Sequence, residues 1–317
     1  MRALPSHNPT QMIKYASWPR GEEETRLSAK QLCASSILAV ASDMKILSIK
    51  TVWGVVLSLI LLASIHKNTH AQEFNSQKAY QDYQYTLSQY SQAFSDHQFA
   101  KTNYLNNRTL SLKDDARLNT QTMLVARDQL LAVYLTMLRM NVYEQGGLLD
   151  DEKNRIFSKI DSEIEWYNTD KTRYSSADSL ELLFEKSRES KNRYEEVTSV
   201  IVNEALAYIS LGQEIGFRLR HEQIYDSLRS LIEAGTLSGK LSMQPFNHWL
   251  IDIDSTIQEL QQNEESTRQE ISKIETDSRY SETFCEDCTE IMSASVPKLS
   301  QLNKYLTEVL NYLINHQ

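Results

Sequence analysis

From residue 72 to residue 317 the chain meets proline only at Pro245 and Pro297, and glycine only at Gly146, Gly147, Gly212, Gly216, Gly235 and Gly239. Turns draw on these two residues, and a sheet protein of this size needs many turns. The scarcity predicts an all-α fold: an elongated antiparallel helical bundle, coiled-coil-like, of five to six long helices and no sheet. A helix of about 33 residues is about 50 Å long at about 1.5 Å per residue.

The apolar periodicity agrees. Tyr80, Tyr83, Leu87, Tyr90, Phe94, His97, Lys101 and Tyr104 follow alternating steps of three and four, a heptad seam. Leu299, Leu302, Leu306, Val309 and Leu313 repeat that spacing. The first helix is expected from Phe74 to Asn106 and the second from Leu112 to Glu144, with Ser111 and Asp114 at capping-box spacing. Met123, Leu124, Leu130, Leu131, Tyr134, Leu135, Leu138 and Val142 cover so much of the second helix that several neighbours must bury it. Gly146-Gly147 ends it and sets a subdivision near 145–150. A third helix runs from Asp150 to Tyr167 through Ile156, Ile160 and Ile164. A fourth spans Ala177 to Ala234, bent at Gly212 and Gly216 and capped by Gly235. Pro245 suits the first turn of a fifth, and Pro297 starts or kinks a sixth.

Export is read from the N-terminal third. Met44 begins MKILSIK, an uncharged apolar stretch runs from Thr51 to His66, and Thr69 and Ala71 stand where a signal peptidase reads −3 and −1. The stretch is short of the roughly 20 residues of a spanning helix. Ile46 to Ile65 reaches that length if Lys50 snorkels, so a single retained membrane anchor is the rival reading. Lys45 and Lys50 precede the run and keep the N-terminus inside under both readings. Residues 1–43, with Pro5, Pro9 and Pro19, read as a mis-assigned start ahead of Met44 or as a disordered cytosolic leader. Residues 72–317 are the exported domain.

Charge excludes one class of partner. The chain has 33 Lys+Arg and 42 Asp+Glu; the first 71 residues hold eight basic and four acidic ones, which leaves a net charge of −13 on the remainder. Phosphate backbones and anionic headgroups repel such a chain, so nucleic acid is not an expected partner.

Candidates for chemistry are few. Cys285 and Cys288 form a CxxC pair. A redox site needs a lowered thiol pKa, which Glu286, Asp287 and Glu290 oppose. A zinc site needs two further ligands, and only the separated His97, His221, His248 and His316 are at hand. Helical core knobs, with a local disulfide in an oxidising compartment, is the third reading: both cysteines continue a 4-3 seam that begins at Ile253 and ends at Met292. No acid stands three residues before any of those four histidines, so the di-iron pattern is missing, and HEQIY at His221 lacks a second histidine. His97 reads as a hydrogen-bonded seam histidine. Tyr80, Tyr83, Tyr85 and Tyr90 are the candidate partner-binding aromatics, since tyrosine gives large contact area at low entropy cost. Core packing at heptad spacing is the competing role for them.

The stretches YQDYQYTLSQYSQAFSDHQFAKTNYL and LNTQTMLVARDQLLAVYLTMLRM, over about residues 79–140, resemble a group of uncharacterised exported all-helical proteins of small-genome bacteria. The resemblance implies an exported helical domain and transfers no activity or site residue. The function expected is therefore non-enzymatic, without a cofactor: a cell-envelope or surface scaffold, spacer or partner-binding protein. The alternative is an extracytoplasmic ligand-binding or sensory module acting through a protein partner.

Overall fold

The computed structural model describes residues 75–316 apart from 178 and 277–279, and within 274–292 it is read for backbone alone. The leader (1–43), the apolar segment with its cleavage or anchoring (44–71) and the side chains of Cys285 and Cys288 lie outside the described residues. What is described is helical, with no strand among the described residues. The helices are α1 (Ser76–Asn106), α2 (Leu110–Tyr143), α3 (Asp150–Tyr174), α4 (Leu180–Arg193), α5 (Ser199–Leu237), α6 (Asn247–Thr276) and α7 (Tyr280–Asn315). A π-helical turn, Tyr194–Thr198, joins α4 to α5 without a break. The chain thus forms an all-α bundle.

Local chemistry sets the helix starts. Asn75 Oδ1 accepts from Lys78 N at 3.0 Å, Thr109 Oγ1 from Leu112 N at 3.3 Å, and Ser179 Oγ from Leu182 N at 3.2 Å. The cap of α2 is therefore Thr109 rather than Ser111, and the helix begins at Leu110. α3 runs on to Tyr174, a turn and more past the expected end, because Tyr167, Asp170 and Tyr174 all face the interior. Gly212 and Gly216 lie inside α5, and Gly235 lies in its last turn rather than capping it from outside. A π turn, Tyr194–Thr198, interrupts the α-helical run expected from Ala177 to Ala234.

Neighbours in sequence pack antiparallel. Tyr83 meets Tyr134 and His97 meets Thr120 across α1 and α2. Arg139 bonds Asp161, and Lys171 bonds Gln129, across α2 and α3. Trp249 with Glu308, Glu259 with Lys298, and Asn263 with Ser295 place α6 and α7 side by side in opposite directions. The seam expected to run unbroken from Ile253 to Met292 is therefore two limbs of a helical hairpin. Pro297 lies inside α7 on the exposed side.

Three apolar clusters fill the interior. One joins α1, the first half of α2, Tyr174 and Leu183. The next joins the second half of α2, α3 and the first half of α5, and reaches Ile271 of α6. The last joins Tyr225, Leu228 and Ile232 of α5 to α6 and α7. α5, 39 residues and so about 58 Å at about 1.5 Å per residue, contributes to two of them.

The α2–α3 connection docks on α5 through two glycines. A Cβ on Gly147 would stand 2.6 Å from Ile215 Cβ, and one on Gly212 would stand 2.5 Å from Gln145 Cβ. Gly216, one turn on, has nothing within 4 Å of such a carbon. Gly212→Ala should cost about 1–3 kcal/mol by overpacking, whereas Gly216→Ala should stabilise by about 0.5–1 kcal/mol, the helix-propensity difference. Chemical denaturation of the two variants checks this; equal effects would mean the docking does not fix the loop.

Candidate functional site

α3 carries an unusual load for a core helix. Along its inner face stand Glu152, Ile156, Ile160, Glu163, Tyr167, Asp170 and Tyr174, all buried. Each buried acid draws a partner, and most partners come from another helix. Glu163 holds Arg193 Nη2 at 2.7 Å and accepts from Thr198 Oγ1 at 2.6 Å. Lys159 meets buried Glu204 of α5 at 2.8 Å. Glu152 accepts from Arg268 of α6 at 2.8 Å while its other oxygen accepts from Leu149 N at 2.7 Å. Tyr167 and Thr198 hydroxyls lie 2.7 Å apart.

The π turn makes the Glu163 site. Arg193 and Thr198 are five residues apart, which on an α-helix points them about 140° away from each other. The wider π turn closes an i→i+5 ring, seen as Ser199 N donating to Tyr194 O, and brings positions five apart toward one side. Both therefore reach the same carboxylate.

One layer further along lies a denser cluster. Arg127 Nε and Nη2 each donate to Asp128 Oδ1 at 3.0 Å. The same guanidinium reaches Tyr174 Oη at 2.9 Å, Ser190 Oγ at 2.7 Å and Ser187 Oγ at 3.2 Å. Tyr174 Oη in turn donates to Asp170 Oδ2 at 2.8 Å. Among the described residues Asp128 Oδ2 has no donor. Burial pushes Asp128 up to about 6, with Arg127 pulling down and Asp170 pushing up.

A second polar layer crosses α5, α6 and α7. Arg218 donates to Glu264 at 2.6 and 3.0 Å and to Glu222 at 2.7 Å. Asn263 donates to Ser295, and Ser295 donates to Glu214. Among the described residues Glu214 Oε1 has no partner, and burial pushes the Glu214 carboxyl up to about 7. His97 is neutral for the mirror reason: burial holds it down to about 4. Thr120 gives its single proton to Ala116 O at 2.6 Å, so His97 Nδ1 carries a hydrogen and donates to Thr120 at 3.0 Å.

The aromatic candidates divide by exposure. Tyr83 and Tyr90 are buried against α2, and their hydroxyls have no hydrogen-bond partner among the described residues. Tyr80 is 51% exposed and Tyr85 65% exposed, joined on the outside of α1 by Phe99 at 69%. The seam of α1 keeps its 3-4 spacing but runs through Ala79, Tyr83, Thr86, Tyr90, Ala93, His97 and Ala100. Tyr80 and Lys101 of the expected seam point outward, and Leu87, Phe94 and Tyr104 flank it half-buried. A shallow depression of about 440 Å³, lined by Gln84, Leu87, Ser88, Ser91 and Gln92, lies on the outer side of α1.

Among the described residues no group of three or more His, Cys, Asp or Glu side chains is placed to hold a metal ion. The two buried polar layers are instead ion pairs and hydrogen bonds knitted across helices. Of their acids only Glu264 falls on a seam read from the sequence, the one that begins at Ile253; the others were not singled out, because an acid elsewhere on a helix reads as surface. No protein-family model, curated protein or solved structure matches the chain.

The unpartnered acids set a pH dependence. A carboxyl whose pKa is raised in the folded state contributes its full stability below the ordinary value, near 4.5 for Glu214, and loses it as pH rises through about 7. Glu214→Gln removes that loss. The variant should gain on the native chain by roughly 2–3 kcal/mol between pH 4.5 and pH 8. Melting curves at the two pH values check it, and a constant difference between the chains would place Glu214 in water.

Proposed function

We propose that this chain is a non-enzymatic, exported helical scaffold of the cell envelope that binds a protein partner through the outer face of α1. The observation that carries the reading is the disposition of α1. It packs chiefly against α2, and on its far side it leaves Tyr80, Tyr85 and Phe99 in solvent. Large aromatics with polar neighbours are what recognition surfaces use. The buried charges support the same reading, since nearly all are spent on one another. Long helices suit a spacer. The charged run before Val52 and the apolar residues after it support export with the N-terminus inside, by cleavage after Ala71 or by a single anchor at 46–65. No helix among the described residues is long and apolar enough to cross a membrane.

The test separates surface from core on one helix. Tyr85→Ala should change stability by under about 1 kcal/mol and lose a stoichiometric protein captured from native envelopes by the tagged full chain. Tyr83→Ala, which empties a buried aromatic site, should cost about 3–5 kcal/mol. Undiminished capture by Tyr85→Ala would remove α1 as the binding face.

A further inference from the structure

The second half of α5 packs with α6 and α7 into a lobe whose far end differs in charge from the rest of the molecule. Residues 72–317 carry a net charge of −13, yet residues 234–251 and 309–317 contain no acid. These stretches are the end of α5, its connection to α6, the start of α6 and the end of α7. Phe246 gathers them into one tip: its ring lies 5.1 Å from Tyr312 and 6.3 Å from Trp249, while Leu241 packs over Gly235. Leu237, 90% exposed, is the most exposed large apolar side chain among the described residues; Ile251 is 67% exposed, and Ile314 is exposed as well. Trp249 and Tyr312 are half-buried at the same end. Lys240 is the one lysine or arginine in the two stretches. The acids that border the tip on α5 and α7 are engaged: Arg229 lies 3.2 Å from Glu233, and Trp249 Nε1 donates to Glu308 at 2.9 Å. On α6 the border is the half-buried Asp252.

We propose that this tip docks on a phospholipid bilayer, with Leu237, Ile251 and Ile314 sunk into the boundary between headgroups and acyl chains. Trp and Tyr rings settle at that depth, one end apolar and the other wet. Lys240 has the stem to reach back to the phosphates. Phosphates repel the acidic remainder of the chain, and that repulsion is weakest where acids are missing. The leader favours the same end. Ser76 N donates to Glu144 Oε1 at 2.8 Å and Gly147 lies against Ile215, so α1 begins level with the middle of α5. From Ile215 to Leu237 α5 advances about 33 Å at about 1.5 Å per residue. A membrane segment that ends at Ile65 is joined to Asn75 by a chain of at most about 34 Å, fully extended. So tethered, the bundle can stand with the lobe tip on the bilayer. It cannot stand on its opposite end, the α1–α2 turn, because that end lies a whole α1 away from Ser76, 31 residues or about 46 Å. The tip is remote from the outer face of α1, so the inference goes beyond the partner-binding reading; only the tether argument draws on that reading's anchored form.

Quenching at single positions tests the docking. The full chain, with Cys33, Cys285 and Cys288 changed to Ser, would carry one cysteine for a nitrobenzoxadiazole dye: Leu237→Cys at the tip or Leu110→Cys at the opposite end, both exposed in the native chain. Each is reconstituted into phosphatidylcholine vesicles, with and without a share of lipid bearing a nitroxide near the headgroup. The dye at position 237 should shift to the blue and lose much of its fluorescence to the nitroxide; the dye at position 110 should do neither. Adding Ile251→Glu and Ile314→Glu should restore the fluorescence at position 237 and leave the melting temperature in place, because both sites are exposed. Equal quenching at the two positions, or none at position 237, would overturn the docking. So would a chain that does not float with the vesicles. A blue shift at position 237 without quenching would overturn it as well, by showing that protein rather than lipid covers the tip. Capture through Tyr85 is read on a different helix, so each reading can fail without the other.

Discussion

Burying charge on α3 is the constraint around which this fold is arranged. A carboxylate taken out of water costs several kcal/mol unless it is paired and hydrogen-bonded. Glu152, Glu163 and Asp170 are all buried on one helix. Glu163 draws in Arg193 at the end of α4 and Thr198 at the head of α5. Glu152 draws in Arg268 of α6. Asp170 receives Tyr174, which in turn accepts from Arg127 of α2. Apolar packing would tolerate small rotations of these helices, but a bidentate arginine does not, so the acids set the register in which the apolar clusters close. The π turn is part of the same constraint, since a plain α-helix would carry either Arg193 or Thr198 away from Glu163.

The layers differ in how completely they are satisfied. The Glu163 group has donors on both oxygens. Among the described residues Asp128 and Glu214 each keep one oxygen without a partner. Both respond in the same way, by holding a proton more tightly than an exposed acid would. They sit in different parts of the molecule, Asp128 among α2, α3 and α4, and Glu214 among α5, α6 and α7.

Helix number, fold class and most apolar seam positions were legible because glycine, proline and large apolar residues give strong signals. Leu302, Leu306, Val309 and Leu313 are buried as their spacing implies. The seam of α1 was legible in period but not in membership. Ala79, Thr86, Ala93 and Ala100 are small and carry little hydropathy, while their neighbours Tyr80, Leu87 and Phe94 are large and draw the eye to the flank. The reversal between α6 and α7 was hidden because both limbs obey one heptad. Of the buried layers only Glu264 was legible, as a seam position: Glu163, Asp170, Glu204 and Glu214 acquire partners 30 or more residues away in most cases, and no local pattern announces a distant arginine or serine.

The length of α5 has a consequence for how the molecule comes apart. Its first half is an inner wall of one cluster and its second half of another, and no loop intervenes between Leu211 and Tyr225. Fraying one cluster strips the support from a helix that the other still needs, so the two lose order together as one cooperative unit. Amide hydrogens between Leu211 and Tyr225 are then released to solvent only when the whole assembly opens, and the slowest hydrogen exchange in the molecule falls at the middle of α5 rather than at the centre of either cluster.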